Sequence, residues 1–262
     1  MKIVFDIPSL IPYVNWPYFY YAWQVKEEQE KIRLRTEAEV FLMKIENLYQ
    51  AYALFELFAA NADGDDIVLD EHRIPLLRQQ QGKPPYLCLS DFLRPITSGI
   101  KDRVGVFATS VDLGLETDFD FDPYQKMMAQ LLADRLAEAA AECMHEQVRK
   151  KYWGYAKDEQ LSIPDMLIEK FQGIRPAIGY PSLPDTSLNF VLNDLLDLRQ
   201  IGIRLTESGA MKPHASVSGL MLAHPKACYF NLGKIGEDQL RDYARRRGLP
   251  IEVVRKFLAS NL

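Results

Sequence analysis

The segment GIRPAIGY, residues 173–180, combines residue types that could hold an anion. Pro176 restricts the backbone of Arg175 to extended conformations, and Gly179 permits a turn or a close approach to a ligand that other residues cannot make. Tyr180 adds a flat aromatic face. A guanidinium fixed in this way can donate two parallel hydrogen bonds to a carboxylate. The pattern therefore indicates a carboxylate site, while an arginine that caps a helix end explains the same residues equally well.

Other polar side chains point less clearly to a site. His145 and Glu146 are adjacent in a helical pattern, which favours a solvated or capping pair over a metal site. Asp65 and Asp66 lie in a turn and fit either solvated turn residues or a cation site. The other histidines are isolated in sequence and are weak candidates for ligands: His72, His214 and His224. No nucleotide-binding glycine loop, Walker loop, GxSxG or HExxH motif is present.

The composition indicates a folded chain that does not bind nucleic acid. Of its 262 residues, 48% are hydrophobic, which is enough for one substantial core or two small ones. The net charge is -5, and lysine and arginine are scattered rather than gathered on a basic face. One dense basic run, Arg245 to Arg247, precedes Gly248, where a helix C-terminus favours cations. We therefore interpret this run as a helix end.

The cysteines and the N-terminus indicate a cytoplasmic protein. Cys88, Cys143 and Cys228 are odd in number, widely separated and set in apolar surroundings, which predicts buried free thiols in a reducing compartment. The first residues contain Asp6 and several prolines. They lack an apolar run of signal-peptide or membrane-spanning length, so we expect no membrane association.

Hydrophobic periodicity and turn residues predict alternating helices and strands. Helices are predicted over residues 32–49, 123–151, 187–199, 236–247 and 250–259, with a short helix opened by Pro164. Strands are predicted over residues 51–61, 86–89, 104–109, 201–206, 217–222 and 227–232, with a tight turn at the Asp-Gly step leading into a strand that ends near residue 69.

These elements interleave without the steady strand-helix repeat of a doubly wound parallel sheet. They favour an α+β fold with a mainly antiparallel sheet. No internal repeat, low-complexity tract or Gly/Ser-rich linker marks a boundary. We therefore expect residues 1–262 to form a single domain.

Several motifs resemble the C-terminal activation domain of cobalamin-dependent methionine synthase, and they occur in the order expected for that family. In the second half of the chain they are LADRLAEAAAECMHEQVRKKYWGYA, FQGIRPAIGYP, LTESGAMKPHASVSG and DQLRDYARRRGLPIEVVRKFLASNL. Upstream they are VNWPYFYYAWQ, FAANADGDDI, LRQQ, LSDFLRP and GVFATS. The resemblance covers nearly the whole chain.

The resemblance implies a C-shaped domain with a twisted antiparallel sheet flanked by helices and an S-adenosylmethionine site. It also implies a role in methionine biosynthesis, the reductive methylation of cob(II)alamin to methylcobalamin, with S-adenosylmethionine as methyl donor and a flavodoxin-like protein as electron donor. The anion for Arg175 would then be the carboxylate of the ligand. Because the leaving group is a neutral thioether, no general acid or base is needed, and we expect no catalytic residue in this chain.

The resemblance carries nine ligand-site positions onto this chain: Asn15, Glu138, Glu169, Arg175, Ala177, Gly179, Tyr180, Tyr229 and Phe230. Three departures from the family pattern stand out. Asn15 replaces an aspartate that contacts the ligand, Phe230 replaces the second residue of a Tyr-Tyr pair, and the run from Lys212 to His214 replaces Trp-Pro-Gly. Loss of the aspartate charge would weaken attraction to an ammonium group.

The chain lacks a DxHxxG cobalamin-binding motif, and the nearest match begins at Asp70. We therefore expect a free-standing activation subunit that is inactive without a separate cobalamin-binding methionine synthase subunit, and which docks through Tyr180 and the loop from Lys212 to His214. Two alternatives remain open. The chain could reactivate the corrinoid of another methyltransferase, or it could be an interaction scaffold that has lost S-adenosylmethionine binding.

Overall fold

A six-stranded antiparallel sheet organises the protein in the computed structural model, which describes residues 1–69 and 72–262. Asp70, where the nearest match to the cobalamin motif begins, lies outside the described residues. The strands are β1 (Lys2–Asp6), β2 (Gln50–Asp63), β3 (Asp66–Leu69), β4 (His72–Pro75), β5 (Asp102–Val111) and β8 (Ser216–Met221). Two further short strands, β6 (Arg204–Leu205) and β7 (Met211–Lys212), form a separate pair.

The long strand β2 determines the strand order β4-β3-β2-β5-β8. One edge of β2 pairs with β5 along most of its length. Its other edge is shared by β1, which pairs with the first part of β2, and β3, which pairs with the last part. Gly64 has a φ of 60° in the two-residue turn between Asp63 and Asp66, which confirms the turn expected from the Asp-Gly step.

Helices cover both faces of this sheet, which is why β5 is buried at nearly every position. The helices are α1 (Ile7–Leu10), α2 (Trp16–Ala22), α3 (Glu28–Ile45), α4 (Gly114–Thr117), α5 (Pro123–Gln147), α6 (Ile163–Leu167), α7 (Leu188–Leu196), α8 (Glu237–Arg247) and α9 (Ile251–Phe257). Among the described residues, no helix is both long and apolar enough to cross a membrane.

Helix α5 is the main support of the sheet. Asp122 caps its first turn by accepting hydrogen bonds from the backbone N–H groups of Tyr124 and Gln125. A row of buried alanines, including Ala133 and Ala137, lets the helix lie close to the strands. The Thr109 hydroxyl of β5 donates to the carbonyl oxygen of Ala137 at 2.9 Å. The helix passes directly into a π-helical turn over Val148–Tyr152.

The hydrophobic side chains form three clusters. On one face of the sheet, α5 packs with α2 and α3. On the other face, α7 and the 3-10 turn over Leu198–Ile201 cover β5 and β8. A third cluster joins α8 and α9, and Gly248 ends α8 with a φ of 64°, as the basic run before it predicted.

Two predicted strands are wrong. Residues 86–89 end in a 3-10 helix over Leu89–Phe92. Residues 227–232 are irregular, because their polar groups turn to the neighbouring loop: the Leu232 N–H donates to the Pro181 carbonyl oxygen at 2.9 Å. The strand predicted over 201–206 shrinks to β6, and the helix predicted to reach residue 49 ends at Ile45.

The antiparallel sheet with flanking helices confirms the predicted α+β fold. The expectation of three buried thiols is only partly correct. Cys88 is buried and Cys143 is half-buried, but Cys228 is exposed because it lies in the irregular segment rather than in a strand.

Candidate functional site

A groove runs between α5, the start of α2, the end of α6 and the segment 173–183. It consists of two cavities of about 300 and 470 Å³ that share five lining residues. The shared residues are Tyr18, Glu138, Glu169, Arg175 and Tyr180. We call these two cavities together the groove.

Pairing with β8 positions the segment that carries Arg175. The backbones of Ile174 and Leu222 exchange two hydrogen bonds, and the Pro176 carbonyl oxygen accepts from the Leu220 N–H at 3.0 Å. At Gly219 the two backbones touch, because a Cβ there would lie 2.1 Å from the Pro176 oxygen. Glycine is therefore required at this position for the segment to reach the sheet.

Arg175 is held by three hydrogen bonds. Its Nη2 donates to Glu142 Oε2 at 3.0 Å, and its Nη1 donates to His145 Nδ1 at 3.0 Å. Its backbone N–H donates to the Tyr229 hydroxyl oxygen at 2.9 Å. The Arg175 side chain is 11% exposed and lines both cavities of the groove. The guanidinium is thus hydrogen-bonded to α5, nearly buried and still accessible from the groove.

The opposite end of the segment is also tied to α5. The Tyr180 hydroxyl donates to Glu138 Oε1 at 2.9 Å. Burial and the nearby Glu138 carboxylate raise the pKa of Tyr180 to about 12, so the phenol stays protonated as this hydrogen bond requires. Gly179, with a φ of 88°, forms the turn that brings Tyr180 over the helix.

A polar stripe on α5 and the turn after it supports the groove, and two of its residues, Glu142 and Arg149, are not among the predicted site residues. Glu138, Glu142, His145 and Arg149 recur at intervals of four, three and four residues, so they share one helix face. Arg149 is fully buried, pairs with Glu159 at 2.7 Å and lies 4.2 Å from the centroid of the Phe171 ring. Helical spacing of polar residues within an alanine-rich helix is the signal that could have revealed them.

The prediction that His145 and Glu146 form a solvated or capping pair is wrong. His145 is completely buried, because it faces the segment rather than water. Burial, Arg175 and Arg149 lower its pKa well below 6.5. Glu146 is partly buried on another side of the helix, where it accepts hydrogen bonds from Tyr13 at 2.6 Å and Lys150 at 3.1 Å.

Glu169 and Asn15 face the groove from outside α5. Glu169 follows α6 with a φ of 61°, a left-handed conformation that is costly for a residue other than glycine. Partial burial and Glu142 raise the pKa of Glu169, and Arg175 opposes this shift. Asn15 precedes α2, but within the described residues its side chain makes no hydrogen bond to the first turn, so its amide is not committed to capping.

The structure brings the nine predicted ligand-site residues together. Eight of them line the groove: Asn15, Glu138, Glu169, Arg175, Ala177, Tyr180, Tyr229 and Phe230. Gly179 contributes the turn described above. Their part in binding a ligand remains a prediction.

The charges of the groove favour a ligand with a positive net charge. Three carboxylates, those of Glu138, Glu142 and Glu169, face two guanidinium groups, those of Arg135 and Arg175. In the part of the chain that the structure describes, no cluster of acidic, histidine or cysteine residues could hold a metal ion. The acidic pair at the β2-β3 turn is instead neutralised by arginines: Asp65 binds Arg78, and Asp66 binds Arg73 and Arg246.

Comparisons with known proteins agree with this architecture. Residues 6–248 match the family model described as the vitamin B12 dependent methionine synthase activation domain. A solved structure of the MetH reactivation domain bound to AdoHcy superposes with a TM-score of 0.95 at 37% sequence identity, covering 100% of this chain and 90% of that one. The chain therefore belongs to the activation domain family of vitamin B12 dependent methionine synthases.

Proposed function

We propose that the groove binds S-adenosylmethionine and that the chain reactivates a cobalamin-dependent methionine synthase. The observation that carries this proposal is the nearly buried guanidinium of Arg175, which is hydrogen-bonded to α5 and faces a groove rich in carboxylates. The AdoHcy bound to the related reactivation domain supports a ligand of the same class.

The chemistry of the groove matches the charges of that ligand. S-adenosylmethionine carries a carboxylate, an ammonium and a sulfonium, and therefore a net positive charge. The guanidinium N–H groups of Arg175 that are not used by Glu142 and His145 suit the carboxylate. Glu138 and Glu169 suit the two cationic centres, since opposite charges attract most strongly where water is partly excluded.

The work of this chain is to bind, orient and shield the ligand. When bound, S-adenosylmethionine supplies an electrophilic methyl group that a reduced cobalamin on a partner protein could accept. The groove residues would hold that methyl group at the surface and restrict water around it. We further propose that the partner is a separate cobalamin-binding methionine synthase subunit in the cytoplasm and that a flavodoxin-like protein supplies the electron.

Calorimetric titration with S-adenosylmethionine tests the proposal through Arg175→Ala. Removing the guanidinium should abolish measurable binding, because the ligand carboxylate loses its cationic partner. It also leaves the Glu142 carboxylate buried without its partner, which destabilises the protein. A melting curve without ligand must therefore accompany each titration.

Arg247→Ala provides a matched control. Arg247, the last residue of α8, is 6% exposed in its side chain and pairs with the buried Asp185 at 3.3 Å. Arg247→Ala should destabilise the fold in a similar way to Arg175→Ala and leave the affinity for S-adenosylmethionine unchanged. For the wild type, ligand at a hundredfold excess over the dissociation constant should add about 2.7 kcal/mol of stability. Absence of wild-type binding at millimolar ligand would instead support the scaffold alternative.

A further inference from the structure

Two side chains of α5, Glu142 and His145, hold the Arg175 guanidinium, and the proposal above assigns neither of them a direct contact with the ligand. Glu142 and His145 each accept one hydrogen bond from it at 3.0 Å, through Oε2 and Nδ1. Glu142 is 9% exposed in its side chain, and His145 is completely buried. Since both acceptors lie on one face of a rigid helix, they fix two nitrogen atoms and hence the plane of the guanidinium.

The contact with Arg175 defines the protonation state of His145. A guanidinium can only donate, so Nδ1 of His145 must be the unprotonated nitrogen. In the neutral ring, Nε2 then carries the hydrogen, and it faces the Tyr155 hydroxyl oxygen at 3.4 Å. The Phe171 ring packs edge-on at 5.0 Å and limits rotation of the imidazole. His145 is thus held as a neutral acceptor pointing at Arg175.

We propose that Glu142 and His145 are positioning residues, which keep Arg175 in the orientation that presents its remaining N–H groups to the groove. His145 acts through Nδ1 as a hydrogen-bond acceptor, and Glu142 acts through Oε2. The consequence for ligand affinity rests on the proposed function, whereas the ordering of the guanidinium does not.

The surroundings of His145 agree with this role. Arg149 lies in the π-helical turn after α5 and Arg175 in the segment 173–183, and both disfavour a positive charge on the ring. Tyr155 and Phe171 also contact the ring and are uncharged, while the Glu142 carboxylate pairs with Arg175. With these neighbours and full burial, the pKa of His145 lies well below its usual value, and the ring is neutral near pH 7.

Two amide substitutions separate the acceptor from the shape of the side chain. His145→Asn can place a carbonyl oxygen close to the position of Nδ1, so it should still accept from Arg175. His145→Gln carries its amide near the position of Nε2, towards Tyr155, so it should lose that contact. Both are uncharged and polar. Asparagine is one methylene smaller than glutamine and leaves the larger void, so a loss of order or affinity confined to His145→Gln cannot come from the void.

Glu142 offers an equivalent pair of substitutions. Glu142→Gln retains an oxygen acceptor without the charge, and Glu142→Ala removes the acceptor. The first should behave like His145→Asn and the second like His145→Gln.

The first measurement uses the ligand-free protein. In nitrogen-15 spectra, a guanidinium with fixed orientation gives separate Nη resonances, and a freely rotating one gives averaged signals. Arg175→Lys identifies the signals of Arg175. Separate resonances are expected in the wild type, His145→Asn and Glu142→Gln, and averaged ones in His145→Gln and Glu142→Ala. Separate resonances in all variants would overturn the positioning role.

The second measurement titrates the same proteins with S-adenosylmethionine at pH 7, after near-ultraviolet circular dichroism has confirmed their folds. Affinity should fall by about tenfold or more in His145→Gln and Glu142→Ala and by no more than a few-fold in the two conservative variants. Equal affinity in all variants would overturn the link to the ligand. If the wild type itself does not bind while the spectra behave as expected, the proposed function fails and the positioning role stands.

Discussion

Asn15 is the position in the groove at which the family resemblance predicts an aspartate. It lines the smaller cavity together with Glu138, Glu142 and Glu169, and its side chain is not used to cap α2. An amide oxygen accepts a hydrogen bond from an ammonium more weakly than a carboxylate does. The groove therefore attracts a cationic ligand less strongly than it could.

We expect Asn15→Asp to raise affinity for S-adenosylmethionine by about tenfold, because a neutral contact becomes charge-assisted. The gain should shrink as salt screens it. The free protein should lose a little stability, since a further carboxylate joins three others. Titration at low and high salt measures the effect. Asn47→Asp, an exposed change of equal charge after α3, should leave affinity unchanged, and an equal gain there would point to net charge instead.

His145 should make stability depend on pH. Its pKa in the folded state is lowered below the ordinary 6.5, so as the pH falls the unfolded chain takes up a proton first. The contribution of neutral His145 to the free energy of unfolding is fully present above about pH 6.5. It is lost as the pH falls below that value, by up to about 1.4 kcal/mol per pH unit. Urea unfolding between pH 5 and 7 should therefore show a smaller loss for His145→Asn than for the wild type. Identical slopes would contradict this assignment.

At the residue scale, the sequence supported part of the site and not the rest. The constraints of Pro176 and Gly179 indicated a fixed Arg175, and motif resemblance placed its companions. The predicted exposed pair of His145 and Glu146 is wrong, because adjacent residues on a helix do not share a face. A helix turns by about 100° per residue, so His145 and Glu146 point to different surroundings. Only the tertiary position of the 173–180 segment shows which of the two is buried.

At the scale of elements, the groove depends on contact between β8 and the segment that carries Arg175. Gly219 makes this contact possible, and α5 supports the segment from the other side. The fit is tight at one position, because the Pro176 oxygen occupies the space that a Cβ at residue 219 would need.

Gly219→Ala should therefore destabilise the protein by about 1–3 kcal/mol through overpacking and lower ligand affinity together with it, because the segment must move away from β8. Gly64→Ala is the matched control. Gly64 has a positive φ and open space around it, so alanine strains the β2-β3 turn without touching the groove. Gly64→Ala should lower the free energy of unfolding by about 1–2 kcal/mol and leave ligand affinity unchanged. Thermal melts and titrations of both variants measure this, and unchanged affinity in Gly219→Ala would contradict the argument.

Elements with strong periodicity were predictable, and those defined by tertiary contacts were not. The helix α5 and the strands β2 and β5 follow their patterns closely because long amphipathic or buried runs leave little choice. The apolar run 227–232 also resembles a strand. It is irregular in the fold because the Tyr229 hydroxyl accepts from the Arg175 backbone and the Leu232 N–H bonds to the segment. A single sequence does not show whether such an apolar run pairs with a sheet or makes these loop contacts.

At the scale of the whole molecule, the groove lies close to the exposed loop that carries Lys212 and His214. A third cavity of about 230 Å³ adjoins it, sharing Glu138 and Tyr180 and including His214. Lys212 lies exposed in β7 on the same loop. The family resemblance predicts Trp-Pro-Gly in this loop, and we propose that the loop contacts the cobalamin-binding partner.

Replacing Lys212 with glutamate and His214 with alanine should slow reactivation of the partner by about tenfold, because rim charges mainly govern the rate of association and its salt dependence. The dissociation constant for S-adenosylmethionine should stay within about twofold, since neither residue lines the groove. Formation of methylcobalamin on the partner, followed by absorbance, measures the first quantity, and calorimetry measures the second. Lys44→Glu on α3 makes the same change in net charge away from the loop and serves as the control. Loss of ligand binding in the double variant would show that the loop belongs to the ligand site. Unchanged reactivation would show that the loop does not contact the partner.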